Sequence, residues 1–379
     1  MNGYFDNAAA VPADEDALKD FLRFSADCYG NQESPGFCGQ RAAAAIGEAE
    51  ERIQSLLLGE DHRAEMLWIS SGTEALNALF AILRKRFPGG GEIVYTDGEH
   101  VAFPAALERM LPPEKFPRRK VPLLKDGAID REGLKEILSG KTLLLALHHV
   151  QPETGRIQDL CGARECLDRT APGALFFSDS VQSACKMPIP WREARLDFAM
   201  LSGQKFGAPS GGALFCRGKR NCSEVRRLRK EAHAVGRVPP PVILTLTEQV
   251  RRLVPRMGRN AEKMNHLKRI FLNTLSAELG EERFSRTIPD EAESSPYIQH
   301  LLIRQCQGAI LCRALALSGF SVSPGSACNA ETDTPSAVLK AMGFGKRAYE
   351  ALRISFAPHN TEEETVRLAR EIASAVRNY

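Results

Sequence analysis

Two polar residues that follow apolar stretches, a carboxylic acid and a lysine, could take part in the same chemistry. Asp179 ends one stretch, where a carboxylate can be a metal ligand, a cap or a partner for a cationic ring nitrogen. The next stretch ends in the glycine-rich segment 201–207, which contains Lys205. Partial desolvation there lowers the pKa of an amine and makes it nucleophilic, as Schiff-base chemistry requires. A carboxylate for the pyridinium nitrogen and a lysine for the aldehyde are what pyridoxal 5'-phosphate needs.

A phosphate site is predicted at the segment Ser70-Ser71-Gly72-Thr73-Glu74, between a strand and a helix. Free backbone N–H groups at the helix start and the Thr73 hydroxyl suit a phosphate dianion. Taken alone, this segment is simply a helix N-cap. With Asp179 and Lys205 expected in the same sheet, the phosphate interpretation is favoured.

The elements that must position these residues form an alternating pattern between about residues 65 and 216. Three helices are predicted among them, at 73–85, 130–138 and 160–169. Apolar strands separated by amphipathic helices predict a mainly parallel α/β sheet with helices on both faces, and ligands bind beyond the carboxyl ends of such strands. Seven strands are predicted, at 66–70, 93–96, 120–123, 142–147, 174–178, 198–201 and 213–216.

The remaining third of the chain predicts a smaller α/β unit. The three prolines 239–241 are interpreted as a stiff connector, because proline cannot continue a helix. A long helical pattern follows at 242–271, and a helical tail is expected at 361–376. We therefore predict a large cofactor-binding domain at 14–240 and a small domain formed by 1–13 and 241–379. The basic run 217–230 is interpreted as a solvated helix face, with a docking surface for an acidic partner, or less favourably RNA, as the alternatives.

Composition excludes several function classes. The 379 residues allow two or three domains, and a net charge of +3 is too balanced to indicate nucleic-acid binding. No apolar stretch is long enough to span a membrane and no secretory signal is visible, so a cytoplasmic protein is expected. The ten cysteines include no C-x-x-C pair, and no metal site is predicted.

Four motifs occur together along the chain: Glu99-His100, Asp179-x-x-Gln182-Ser183, Ser202-Gly203-x-Lys205 and Gly325-Ser326-Ala327-Cys328. In order and approximate spacing they resemble the NifS/IscS-like cysteine desulfurases of the class V aminotransferase superfamily. The resemblance extends from Tyr4 to Glu364. It implies the fold-type I architecture of PLP-dependent transferases, with a seven-stranded sheet and a smaller C-terminal α/β domain.

The resemblance also implies roles in cofactor binding. Lys205 would form the Schiff base, Asp179 would keep the ring nitrogen protonated, and Gln182 would bond the ring hydroxyl. His100 would stack on the ring and carry protons. The phosphate would be surrounded by Gly72, Thr73, Ser202 and Gln204.

For the substrate, the resemblance implies that Arg353 pairs with the carboxylate of L-cysteine, for which a guanidinium fork is well suited. Cys328, in a Gly/Ser/Pro-flanked segment, would attack the substrate sulfur, leaving a persulfide on Cys328 and releasing L-alanine. The sulfur would pass to an acceptor such as an iron–sulfur scaffold or a tRNA-thiolation protein, and the enzyme would be a homodimer. No membrane or direct nucleic-acid partner is expected.

Three positions depart from the family pattern. Gln204 replaces a histidine of the phosphate site, which predicts weaker cofactor retention. Pro152 replaces an asparagine that helps to hold the substrate, with Gln151 as the candidate substitute. The segment 234–239 lacks the threonine that would reach the phosphate of the partner subunit. Two alternatives therefore stay open: another class V enzyme, such as an aminotransferase or a selenocysteine or cysteine-sulfinate lyase, with Cys328 incidental, or a PLP-binding protein without turnover.

Overall fold

Seven strands form the main sheet of the computed structural model, which describes residues 3–59, 64–230, 238–325 and 335–379. Their order across the sheet is β1-β7-β6-β5-β4-β2-β3, and all neighbours are parallel except β7, which runs antiparallel to both β1 and β6. All seven predicted strands are confirmed, with ends shifted by one or two residues. The strands are β1 Ala64–Ile69, β2 Glu92–Thr96, β3 Arg118–Val121, β4 Thr142–His148, β5 Leu175–Asp179, β6 Phe198–Ser202 and β7 Gly212–Arg217.

Helices cover both faces of this sheet, as its apolar strands predict. Phe176 and Phe177 are consecutive in β5 and both are fully buried, one in each of two separate cores. Successive side chains of a strand point to opposite faces, so a continuously apolar strand requires cover on both sides. One core includes residues of α2 (Phe37–Leu58), α5 (Arg131–Ile137) and α6 (Leu160–Thr170), and the other includes residues of α3 (Gly72–Arg86), α4 (Ala102–Met110) and α7 (Lys219–Lys230).

A second, antiparallel sheet belongs to the C-terminal part of the chain. It consists of β8 (Phe284–Arg286), β9 (Ile298–Ile303) and β10 (Ala351–Ser355), in the order β10-β9-β8. Phe5 near the N-terminus is buried in the same core as these strands, and its backbone bonds to Ser321 and Ser355. The N-terminal residues therefore lie beside β10. The helices outside the main-sheet set are α1 Glu15–Asp27, α8 Pro240–Leu253, α9 Met257–Leu279, α10 Gly308–Leu317, α11 Ala337–Ala341 and α12 Glu362–Arg377.

Prolines account for two differences from the predicted elements. The helical pattern 242–271 is two helices, α8 and α9, separated by a 3-10 turn at Val254–Arg256, because Pro255 removes a helical N–H donor. The three prolines are not a separate connector, since α8 begins at Pro240, and proline is tolerated in the first turn of a helix where its missing N–H is not needed. The predicted tail is confirmed as α12, which begins with a capping box of Thr361 and Glu364.

The predicted domain boundary at residue 240 stays a prediction. Leu246 and Val250 of α8 are buried in a core of the main sheet, whereas Met264 and Phe271 of α9 are buried with the small sheet. None of the helices in the four described ranges is long and apolar enough to cross a membrane.

Candidate active site

A cavity of about 320 Å³ lies where β5 and β6 end and α3 begins. This is the carboxyl edge of parallel strands, where ligands bind in open α/β sheets. Eighteen residues line it, and nine of the eleven predicted site residues are among them. The nine are Gly72, Thr73, His100, Asp179, Gln182, Ser202, Gln204, Lys205 and Arg353.

Lys205 reaches the cavity because β6 continues directly into a 3-10 turn, Gly203–Lys205. A Cβ atom at Gly203 would lie 2.9 Å from both the Cβ of Ala208 and the backbone carbonyl oxygen of Ser210, so glycine is required here. The Nζ of Lys205 donates a hydrogen bond to the carbonyl of Ala9. The turn thus places a primary amine, half-buried, at the floor of the cavity.

Asp179 is the last residue of β5 and its carboxylate turns into the cavity. One oxygen, Oδ1, accepts a hydrogen bond from the backbone N–H of Val181 at 2.9 Å. Burial raises the pKa of this carboxyl to about 6, and the backbone N–H, His148 and Lys205 oppose the shift in part. A cationic N–H group placed opposite Asp179 would offset the cost of burying its charge.

Behind Asp179 lies a second buried polar pair that the sequence motifs did not indicate as a pair. His148, beside Asp179 in the neighbouring strand, has its Nδ1 3.0 Å from Oε1 of Glu99. Both side chains are 1% exposed. Thr96 donates to the same carboxylate oxygen and Gln158 lies 3.2 Å from Nε2 of His148. The pair is therefore held within a hydrogen-bonded network.

His100 is neutral in this arrangement. Its Nδ1 accepts a hydrogen bond from the backbone N–H of Ala102 at 3.2 Å, so the ring proton is on Nε2. Burial lowers the pKa of His100, and the nearby charges of Lys205 and Arg353 lower it further. The neutral side chain can therefore donate or relay the proton on Nε2, whereas Nδ1 is occupied by the backbone N–H of Ala102.

The start of α3 offers donors to an anion. The N-cap Ser71 accepts from the N–H of Glu74, and the carboxylate of Glu74 turns back to Ser70. The first N–H groups of the helix, at Gly72 and Thr73, have no acceptor within the helix itself. Together with the Thr73 hydroxyl and the helix dipole they suit a phosphate group.

Arg353 enters the cavity from the small sheet. Its side chain is 3% exposed, with Nη2 donating to Oδ1 of Asp6 at 2.7 Å and Nη1 donating to the carbonyl of Pro152 at 3.0 Å. Two of the five N–H groups of the guanidinium are thereby used to hold it. Among the residues that the structure describes, no other hydrogen bond occupies the Nη atoms, so their remaining hydrogens can bind a carboxylate that enters the cavity.

Of the predicted site residues in the described ranges, Gln151 alone does not line this cavity. The amide of Gln151 is used by the backbone: Oε1 accepts from the N–H groups of Glu153 and Thr154, and Nε2 donates to Gly98. Its neighbour Pro152 lines the cavity instead. Cys328, Ser326 and Ala327 lie outside the described residues, as does most of the departing segment 234–239.

Two residues that matter to this geometry were missed in the sequence. Asp6 lies in the Tyr4–Ala9 segment, but nothing local indicates its pairing with Arg353. Lys186 stands four residues after Gln182, and that spacing is the one signal that could have pointed to their contact. Both residues act on predicted site residues through a side-chain hydrogen bond.

The comparisons with known proteins agree with the geometry. The family model described as aminotransferase class-V matches residues 3–229. A cysteine desulfurase from Sinorhizobium fredii is 30% identical over 383 residues, covering 99% of this chain and 96% of that protein. A solved NifS-like protein has a TM-score of 0.85 at 23% identity with both chains fully covered. SspA in complex with cysteine has a TM-score of 0.76 at 22% identity, covering 95% of this chain and 100% of that one.

These two structures confirm the fold-type I architecture. The chain therefore belongs to the class-V aminotransferase family and, within it, to the NifS/IscS-like cysteine desulfurases.

Proposed function

We propose that the chain is a PLP-dependent cysteine desulfurase, which converts L-cysteine to L-alanine and carries the sulfur as a persulfide on Cys328. The observation that carries the proposal is the convergence in one cavity of an amine, a half-buried carboxylate and the start of a helix, at Lys205, Asp179 and Gly72. The full-length relative from S. fredii is named for this activity, and a solved relative of the same fold holds cysteine.

The side chains around the cavity fit pyridoxal 5'-phosphate. The carboxylate of Asp179 suits a protonated ring nitrogen, because desolvation raises its pKa and a cation placed beside it would favour its charged form. The N–H groups and hydroxyl at Gly72 and Thr73 suit the phosphate, with Ser202 and Gln204 alongside. Gln182 would bind the ring hydroxyl. When bound, the cofactor supplies an electron sink for the carbanion that forms when the substrate loses its α-proton.

We assign the proton transfer to the residues that surround this position. The Nζ of Lys205 would accept the α-proton of the substrate, and neutral His100 would cover the ring and relay a proton. Arg353, anchored by Asp6 and the carbonyl of Pro152, would hold the substrate carboxylate. The thiolate of Cys328 would then form an S–S bond with the substrate sulfur as the Cβ–S bond breaks. Reprotonation of the carbon product yields alanine.

Three further parts of the proposal concern the setting of the reaction. We expect the sulfur to pass from Cys328 to an acceptor protein of the iron–sulfur scaffold or tRNA-thiolation type. We expect a homodimer and a cytoplasmic location, as in the sequence analysis. The residue that contacts the phosphate across the dimer is left unassigned, because the segment 234–239 has no threonine.

The test is the visible spectrum of the purified protein before and after addition of L-cysteine, with alanine quantified. Borohydride reduction followed by mass spectrometry should find the cofactor attached at Lys205. A colourless preparation in excess pyridoxal 5'-phosphate would refute the proposal.

The role of Cys328 is tested by Cys328→Ala against Cys38→Ala as a matched control, since Cys38 is exposed and distant in sequence from every site residue. We expect Cys328→Ala to abolish alanine formation with unchanged cofactor absorbance, and Cys38→Ala to retain it. Undiminished turnover of cysteine in Cys328→Ala would favour the other class V chemistries. Cofactor absorbance without alanine formation in the unmodified protein would favour a binding protein without turnover.

A further inference from the structure

Lys186 is a buried cation that the proposed reaction does not use. It lies in the turn that follows β5, and only 8% of the residue is exposed. Within the part of the chain that the structure describes, its Nζ makes one hydrogen bond, to Oε1 of Gln182 at 3.2 Å. Its other close neighbour is the ring of Tyr297, whose centroid is 5.6 Å from Nζ. A buried ammonium without a carboxylate partner is costly, so its retention requires an explanation.

Lys186 affects the orientation of the Gln182 side-chain amide. The Nε2 of Gln182 donates to the carbonyl of Ala8 at 2.8 Å, and the Oε1 of Gln182 accepts from Lys186. A carbonyl oxygen only accepts and an ammonium only donates, so these two partners fix which end of the amide is nitrogen. Ala8 takes one of the two Nε2 hydrogens. The second remains for a ligand in the cavity, which Gln182 lines.

The electrostatic surroundings of Lys186 fit an anionic oxygen as that ligand. Burial lowers the pKa of Lys186 to about 7, and the positive charges of Lys205 and Arg353 act in the same direction, opposed by Cys185. Lys205 and Arg353 line the cavity, so the charges that lower the pKa of Lys186 belong to the site itself. An oxygen with partial negative charge next to Gln182 would stabilise the charged form of Lys186.

We propose that Lys186 is a positioning residue for the cofactor: it orients the Gln182 amide so that an N–H group, and not the carbonyl oxygen, faces the ring hydroxyl. The inference rests on the proposed function, because it requires that pyridoxal 5'-phosphate occupy the cavity. Lys186 touches neither substrate nor cofactor in this account and acts through Gln182.

The experiment measures two properties of the cofactor that do not depend on turnover: the apparent dissociation constant of pyridoxal 5'-phosphate from cofactor-free protein, and the pH midpoint of its bound visible absorbance. We expect Lys186→Met to weaken binding about tenfold, the size of one lost hydrogen bond in a buried site. We expect the midpoint to rise by about 0.5 to 1 unit, since a cation and a donor that favour the ionised ring oxygen are lost. Lys186→Arg, which keeps the donor and the charge, should remain within about threefold of the unmodified protein.

A mutant cycle shows whether the effect passes through Gln182. In a Gln182→Ala background, Lys186→Met should change binding by less than about twofold, because the amide it orients is gone. The matched control is Lys268→Met, since Lys268 is also buried and donates to a backbone carbonyl, that of Ser295, away from the cavity. It should alter the free energy of unfolding but neither cofactor property.

Three results would overturn the inference. The inference is wrong if Lys186→Met leaves both the dissociation constant of the cofactor and the pH midpoint of its absorbance unchanged. It is also wrong if the effects of Lys186→Met and Gln182→Ala on cofactor binding are fully additive. If Lys186→Met does not fold, Lys186→Gln takes its place. Glutamine can present either its N–H or its oxygen to Gln182, whereas the ammonium can only donate. We expect Lys186→Gln to bind the cofactor at least threefold more weakly. Binding equal to that of the unmodified protein would then contradict the inference. If the unmodified protein binds no cofactor, the proposed function fails instead, so the two failures are distinguishable.

Discussion

Replacing Arg353 by lysine tests the proposed recognition of the substrate carboxylate. In the structure one guanidinium contacts Asp6 at 2.7 Å and the carbonyl of Pro152 at 3.0 Å, and it still lines the cavity. Lysine keeps the charge but has a single nitrogen at the end of its chain. Its donors all lie on that one nitrogen and cannot span acceptors that two separate Nη atoms now hold, so one charged hydrogen bond to the substrate should be lost.

The size of the effect follows from that single contact. A hydrogen bond to a charged group contributes about 1.5–3 kcal/mol, which corresponds to a fall in kcat/KM for L-cysteine of about 10- to 150-fold. The change should lie mainly in KM, because the carboxylate is held equally in the ground state and the transition state. Steady-state alanine formation over a range of cysteine concentrations measures both parameters.

The control for this substitution is Arg164→Lys. Arg164 is also buried and also paired with a carboxylate, that of Asp168, but it lies on α6 and does not line the cavity. Its kinetic parameters should stay within about twofold of the unmodified enzyme, as expected of a substitution far from the reacting groups. A kcat/KM for Arg353→Lys within twofold of the unmodified enzyme, in protein of unchanged cofactor content, would refute the assigned role of Arg353.

Three further predictions concern the cavity and the residues behind it. The native-state pKa of Asp179 is raised to about 6 from 3.8, so its burial lowers the stability of the cofactor-free protein as the pH rises through this interval, by up to about 3 kcal/mol. Asp179→Asn should therefore raise the free energy of unfolding at pH 8, with a difference that shrinks towards pH 4; a difference independent of pH would contradict this cause. His148→Leu removes the hydrogen-bond partner that Nδ1 of His148 gives to Oε1 of the buried Glu99, and it should lower the free energy of unfolding, measured in urea, by about 1–3 kcal/mol; an unchanged free energy would mean that the pair adds no stability. Gln204→His should tighten cofactor binding about fivefold, measured as the apparent dissociation constant, because an imidazolium pairs with phosphate more strongly than a neutral amide does; an unchanged constant would show that Gln204 does not contact the phosphate.

The sequence by itself indicated the features that depend on residues close together in the chain, namely the strands and the polar residues at the ends of strands and helices. The seven strands were predicted because mostly apolar runs of four to six residues between amphipathic helices have few other solutions. The cavity residues on β5, β6 and α3 were predicted because each follows directly from the end of a strand or the start of a helix. Local prolines were harder to interpret: Pro255 interrupts a helical pattern, whereas Pro240 begins a helix.

The tertiary structure decided which side chains meet across long separations. Asp6 and Arg353 are 347 residues apart, and they pair because the N-terminal segment lies beside β10. Gln151 was the candidate to replace the missing asparagine, but the fold uses its amide to satisfy three backbone groups. Hydrophobic periodicity records which face of an element is buried. It does not record which polar atoms from distant segments share a buried site, because that depends on how the complete elements pack.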